Sequence, residues 1–65
     1  MTPEEIRAGL ILRKIKQVEI ADALGVSVVA VNRTIKGELV SKRIRCFIAT
    51  TLGQSVATIW PRQAA

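Results

Sequence analysis

The side chains able to do chemistry in this chain are mostly cations. Ten Lys and Arg stand against five Asp and Glu, a net charge of +5 over 65 residues. There is no His, which excludes imidazole acid–base catalysis and His-ligated metals. One Cys, Cys46, excludes an internal disulfide framework and a multi-Cys zinc site. No nucleophile, base and orienting group fall into an enzyme's pattern, and no phosphate-cradling glycine loop is present. Neither an enzyme nor a cofactor is expected. What remains is recognition of fixed negative charge.

The cations are unevenly placed. In residues 1–25, Glu4, Glu5, Glu19 and Asp22 cancel Arg7, Arg13, Lys14 and Lys16. In residues 26–65, Glu38 faces Arg33, Lys36, Lys42, Arg43, Arg45 and Arg62, so the whole surplus lies there. A solvated surface would account for scattered bases. Grouping after residue 32 acquires meaning only if the fold gathers these bases on one face.

The elements that must do the gathering read as four or five short helices in an all-α domain over residues 1–61, with 62–65 as a frayed tail. The composition, 49% hydrophobic with four Gly and two Pro, excludes disorder and collagen. The first helix is expected from Pro3 to Lys14, capped by Thr2 and burying a broad set of Ile6, Leu10, Ile11, Leu12 and Ile15. The second runs from Gln17 to Leu24, with Val18, Ile20, Ala21 and Leu24 inward, and ends at Gly25. The third is capped by Ser27, ends before Gly37, and turns Val31, Thr34 and Ile35 to one side and Asn32, Arg33 and Lys36 to another. The fourth spans Ser41 to Gly53 on Ile44, Phe47, Ile48 and Leu52. A last turn runs from Ser55 to Ile59 and stops at Trp60-Pro61.

The stretch Gln17 to Gly37, QVEIADALGVSVVAVNRTIKG, holds a particular logic. Ala21 is small where two helices would cross closely. Gly25 permits a sharp turn. Val26 plugs the angle, Ser27 caps the following helix, and Val31 anchors it. Such a pair projects the outer face of its second helix, and a major groove about 12 Å wide admits a helix so presented.

The stretch resembles the helix-turn-helix of lambda-repressor-like (Cro-type) DNA-binding proteins in Gln17, Ile20-Ala21, Leu24-Gly25-Val26-Ser27 and Val31-Asn32-Arg33 followed by Gly37. Ala49 to Pro61, ATTLGQSVATIWP, is similar to the ending of small phage Ner-type regulators and their Nlp relatives. The resemblance implies a phage or prophage repressor acting on double-stranded DNA. It implies phosphate contact from Gln17, and an outward edge made by Ser27, Val28, Val29, Asn32, Arg33 and Lys36. Base contacts then fall to Val28, Val29, Asn32 and Arg33: Arg33 for a bidentate contact to guanine, Asn32 for adenine, the valines for thymine methyl groups, with a phosphate contact the equal alternative for Arg33 and for Asn32. Ser27 and Lys36 are assigned to phosphate. Many family members carry Gln or another polar residue where Val28 and Val29 stand, and one of the two valines is expected to pack between helices instead.

Lys42, Arg43 and Arg45 open the fourth helix. Cations there oppose the helix dipole at a cost of about 0.3–1 kcal/mol each. An incoming phosphate would reconcile the placement, so all three are expected at phosphates. Cys46 is expected exposed and without a role, Phe47 in the core, and Trp60 as a lid over the core.

Thr2-Pro3-Glu4-Glu5 reads as a helix start rather than a signal peptide, and no apolar run approaches the ~20 residues of a membrane span. A cytoplasmic location in a reducing compartment is expected. A two-sided operator needs a homodimer, formed in solution or only on DNA; Leu39-Val40 and the tail after Trp60 are candidate contact surfaces. The competing reading is a protein-interaction module, an anti-repressor or antitoxin-like partner that keeps the fold and docks through Val28, Val29, Leu39 and Val40.

Overall fold

A computed structural model describes residues 1–61. The tail expected to fray, 62–65, lies outside the described residues. Among the described residues there are five helices and no strand: α1 (Pro3–Leu12), α2 (Gln17–Leu24), α3 (Val28–Lys36), α4 (Lys42–Leu52) and α5 (Val56–Ile59). The all-α expectation is met. Among the described residues no helix is long and apolar enough to cross a membrane.

Local chemistry sets the helix ends. The Thr2 hydroxyl accepts from the Glu5 amide at 3.1 Å, and the Glu5 carboxylate accepts from the Thr2 amide at 2.7 Å. Ser27, Ser41 and Ser55 accept from the third residue beyond in the same manner, at 3.1, 3.4 and 3.1 Å. Each bond satisfies an amide that the first helical turn leaves without a partner. Gly25 closes α2 in the left-handed region, at φ 67° and ψ 35°. A side chain would disfavour that conformation.

All five helices contribute to one apolar core. Ile6 and Leu10 enter from α1, Ile20 and Ala21 from α2, Val31 and Ile35 from α3, Ile44 and Ile48 from α4, and Ile59 from α5. Gly9 serves a close approach: a Cβ there would lie 2.8 Å from Leu52 Cδ2, so the missing side chain lets α1 and α4 meet.

Three apolar residues expected inward are exposed. Ile11 and Leu12 are 71% and 81% accessible, and Val18 is 48% accessible. The helical step of about 100° per residue explains them. Ile11 and Leu12 lie one and two steps past Leu10, outside the Ile6–Leu10 stripe. Val18 lies two steps from Ile20 and faces away from the core. The first helix also stops at Leu12, two residues early. The chain reverses there through Lys14, a non-glycine residue at φ 58°.

Candidate nucleic-acid interface

The helices α2 and α3 are joined by the three residues Gly25, Val26 and Ser27. Val26 donates its amide to the Ala21 carbonyl at 3.0 Å and packs against the core. The inner side of α3 is held firmly. Val31, Thr34 and Ile35 are all buried, and the Thr34 hydroxyl donates back to the Ala30 carbonyl at 2.7 Å.

That burial decides which side of α3 faces out. Val29, 64% accessible, Arg33 and Lys36 occupy the centre of the exposed arc. Val28 is also exposed, so neither valine packs between helices, contrary to the expectation for one of them. Ser27 is exposed, but its hydroxyl oxygen is engaged as the cap of α3.

Arg33 lies 3.8 Å from Glu38, with both side chains about half exposed (52% and 56%). Such a pair is weak in water, so Glu38 restrains Arg33 without removing it from the surface.

Asn32 departs from the expected outward edge. It is half-buried on the flank turned to α1, where its Oδ1 accepts from Arg7 Nη2 at 3.5 Å. Gln17, the first residue of α2, is half-buried and lines a surface hollow with Arg7, Leu10, Ile11 and Ile15. Arg7 thus stands between the start of α2 and the flank of α3. Nothing in the local pattern singles it out, because its partner lies 25 residues away.

The basic cluster opening α4 does not act as a unit. Lys42 is exposed. Arg43 is exposed but turned to α2, donating from Nη2 to the Leu24 carbonyl at 2.9 Å. There it meets carbonyls at the negative end of a helix dipole. Arg45 is buried, only 3% accessible, with its guanidinium 5.0 Å from the centroid of the Trp60 ring. The expectation of a phosphate contact from Arg45 is therefore wrong. Its position carried a signal: Arg45 precedes Ile48 by three residues, Ala49 by four and Leu52 by seven, which is the register of the buried stripe.

Trp60 covers the core as expected, 6% accessible, and its Nε1 donates to the Thr34 carbonyl at 3.1 Å. Phe47 is half-buried against the core, and Cys46 is exposed. Among the described residues no group of His, Cys, Asp and Glu could hold a metal ion.

The arrangement offers a short helix with an apolar and cationic outer face, and an exposed Lys42 at the start of the next helix. No family model, curated protein or solved structure matches this chain.

Proposed function

We propose that the chain is a sequence-specific, double-stranded DNA-binding regulator that presents α3 to the major groove. The observation that carries this reading is the outer face of α3. Val31, Thr34 and Ile35 fix the helix in the core, so Val29, Arg33 and Lys36 stand clear of the body together. An apolar residue that can meet a thymine methyl, beside an Arg that can grip guanine, is what direct readout requires. Lys36 and Lys42 supply phosphate neutralisation, with Gln17 at its edge. Arg43 joins them only by leaving the Leu24 carbonyl. The resemblance to Cro-type and Ner-type proteins adds the role of a phage or prophage repressor. A cytoplasmic, DNA-bound setting and pairing of two copies across a symmetric operator belong to the same proposal.

Selection of bound duplexes from a random pool tests it. Enrichment of a defined site supports the reading. Arg33→Ala then costs about 1–3 kcal/mol on that site and relaxes base choice at one position. Equal losses on all sequences reassign Arg33 to phosphate. Exposed Val28, Val29 and Val40, at 42%, 64% and 63% accessibility, favour the second reading of a protein-interaction module. Absence of any duplex binding at low salt would select it.

A further inference from the structure

Residues 26–65 contain one acid, Glu38, against six cations. The fold sets that acid beside the cation assigned to base reading. Gly37 ends α3 in the left-handed region, at φ 81° and ψ 7°, and turns the chain back over the helix. The Glu38 amide then donates to the Arg33 carbonyl at 2.9 Å. This backbone bond holds position 38 next to Arg33 whichever side chain stands there. The side chains meet as well, with Glu38 Oε1 3.8 Å from Arg33 Nε.

We propose that Glu38 is a specificity-determining residue that withholds Arg33 from phosphates and leaves it available to guanine. This deepens the proposed DNA-binding role and rests on it. The two candidate partners of Arg33 differ in charge. A phosphate gripped by Arg33 brings a negative charge next to the Glu38 carboxylate, and the repulsion weakens that complex. The N7 and O6 of guanine are neutral acceptors. Glu38 approaches the inner nitrogen of the guanidinium, so the two terminal nitrogens can serve guanine while the pair stays together. Binding to a random sequence is almost wholly phosphate contact. Glu38 therefore weakens it and spares the complex in which Arg33 reads a base, which widens the gap between the two. Both side chains are about half exposed, 52% and 56%, which limits the effect to about two- to fivefold.

The test measures the full chain, Glu38→Gln, Arg33→Ala and the double variant on two duplexes over a range of salt. One duplex is selected from a random pool by the natural chain, and the other is of random sequence. Glu38→Gln keeps the shape and the backbone bond and removes the charge. It is expected to bind the random duplex about two- to fivefold more tightly, with a salt slope steeper by about 0.9 as Arg33 joins a phosphate. On the selected duplex its affinity is expected to change by less than about twofold, so the preference for that site falls. With Arg33→Ala in place, Glu38→Gln is expected to move neither the slope nor the preference. Equal gains on both duplexes, or a gain undiminished in the Arg33→Ala background, make Glu38 a general repellent of DNA and overturn the proposal while leaving DNA binding intact. A loss on the selected duplex alone overturns it too, because Glu38 then supports the guanine contact instead of guarding against phosphate. No binding of the natural chain to either duplex at low salt removes the DNA-binding reading and this inference together.

Discussion

The indole nitrogen of Trp60 donates to the backbone carbonyl of Thr34 across 3.1 Å. The bond ties the residue after the last helix to the helix with the candidate DNA-reading face. The same carbonyl accepts the Gly37 amide at 3.1 Å, so the end of α3 is held both by its own cap and from the far end of the described chain.

Trp60→Phe separates the bond from the bulk of the ring. The aromatic cover is largely retained and the Nε1 donor is lost. Stability is expected to fall by about 1 kcal/mol, against about 3–5 kcal/mol for Trp60→Ala. Denaturant unfolding of both variants measures the difference. Unchanged stability in Trp60→Phe would mean that the hydrogen bond contributes nothing.

Arg45 and Lys42 are expected to behave as opposites although they stand three residues apart. Arg45→Ala removes a buried cation from the Trp60 ring and lowers stability by about 2 kcal/mol. Its effect on the salt dependence of DNA binding is nil. Lys42→Ala leaves stability unchanged and reduces that salt slope by about 1. Unfolding curves and binding isotherms at several salt concentrations check the pair. A slope change from Arg45→Ala in a fully folded protein would contradict the buried placement.

Much of the fold was legible because it is decided locally. Thr2, Ser27, Ser41 and Ser55 cap their helices within three residues of themselves, and Gly25 terminates α2 by its own backbone freedom. The inward set of α3 followed from spacing alone. What failed depended on distant partners. Ile11 and Leu12 are as apolar as Leu10, but they lie off the Ile6–Leu10 stripe on a side of α1 that no other helix covers. Arg45 read as exposed because its charge outweighed its register, yet Trp60 supplies the face that accepts it. Arg43 and Asn32 were placed on the correct helices, but Leu24 and Arg7 decide where their polar atoms point.

Glu38→Gln is expected to tighten DNA binding. It removes the partner 3.8 Å from Arg33 and a negative charge that would approach phosphates. An exposed pair of this kind is worth at most about 1 kcal/mol, so the gain is about two- to fivefold. Titration of a duplex with both proteins checks it, and weaker binding by Glu38→Gln would show that Glu38 orients Arg33 productively.

The N-terminal cap carries a pH dependence. The Thr2 backbone amide, then its hydroxyl, hold the Glu5 carboxyl below its ordinary value of 4.5. A carboxylate favoured in the folded state stabilises it above the unfolded value, and that contribution fades as pH falls through the folded one. Thr2→Ala removes the hydroxyl bond and is expected to move the Glu5 titration upward, as followed by NMR. An unmoved titration would assign the whole effect to the backbone amide.

In the proposed function the outer face of α3 and its flanking cations meet duplex DNA. The affinity of the natural chain for a labelled random-sequence duplex, measured from low to moderate salt, tests it most directly. Neutralisation by Lys36 and Lys42 predicts that log affinity falls against log salt with a slope of about −1.8, about −0.9 for each cation. No binding at the lowest salt, or a slope near zero, would contradict the account.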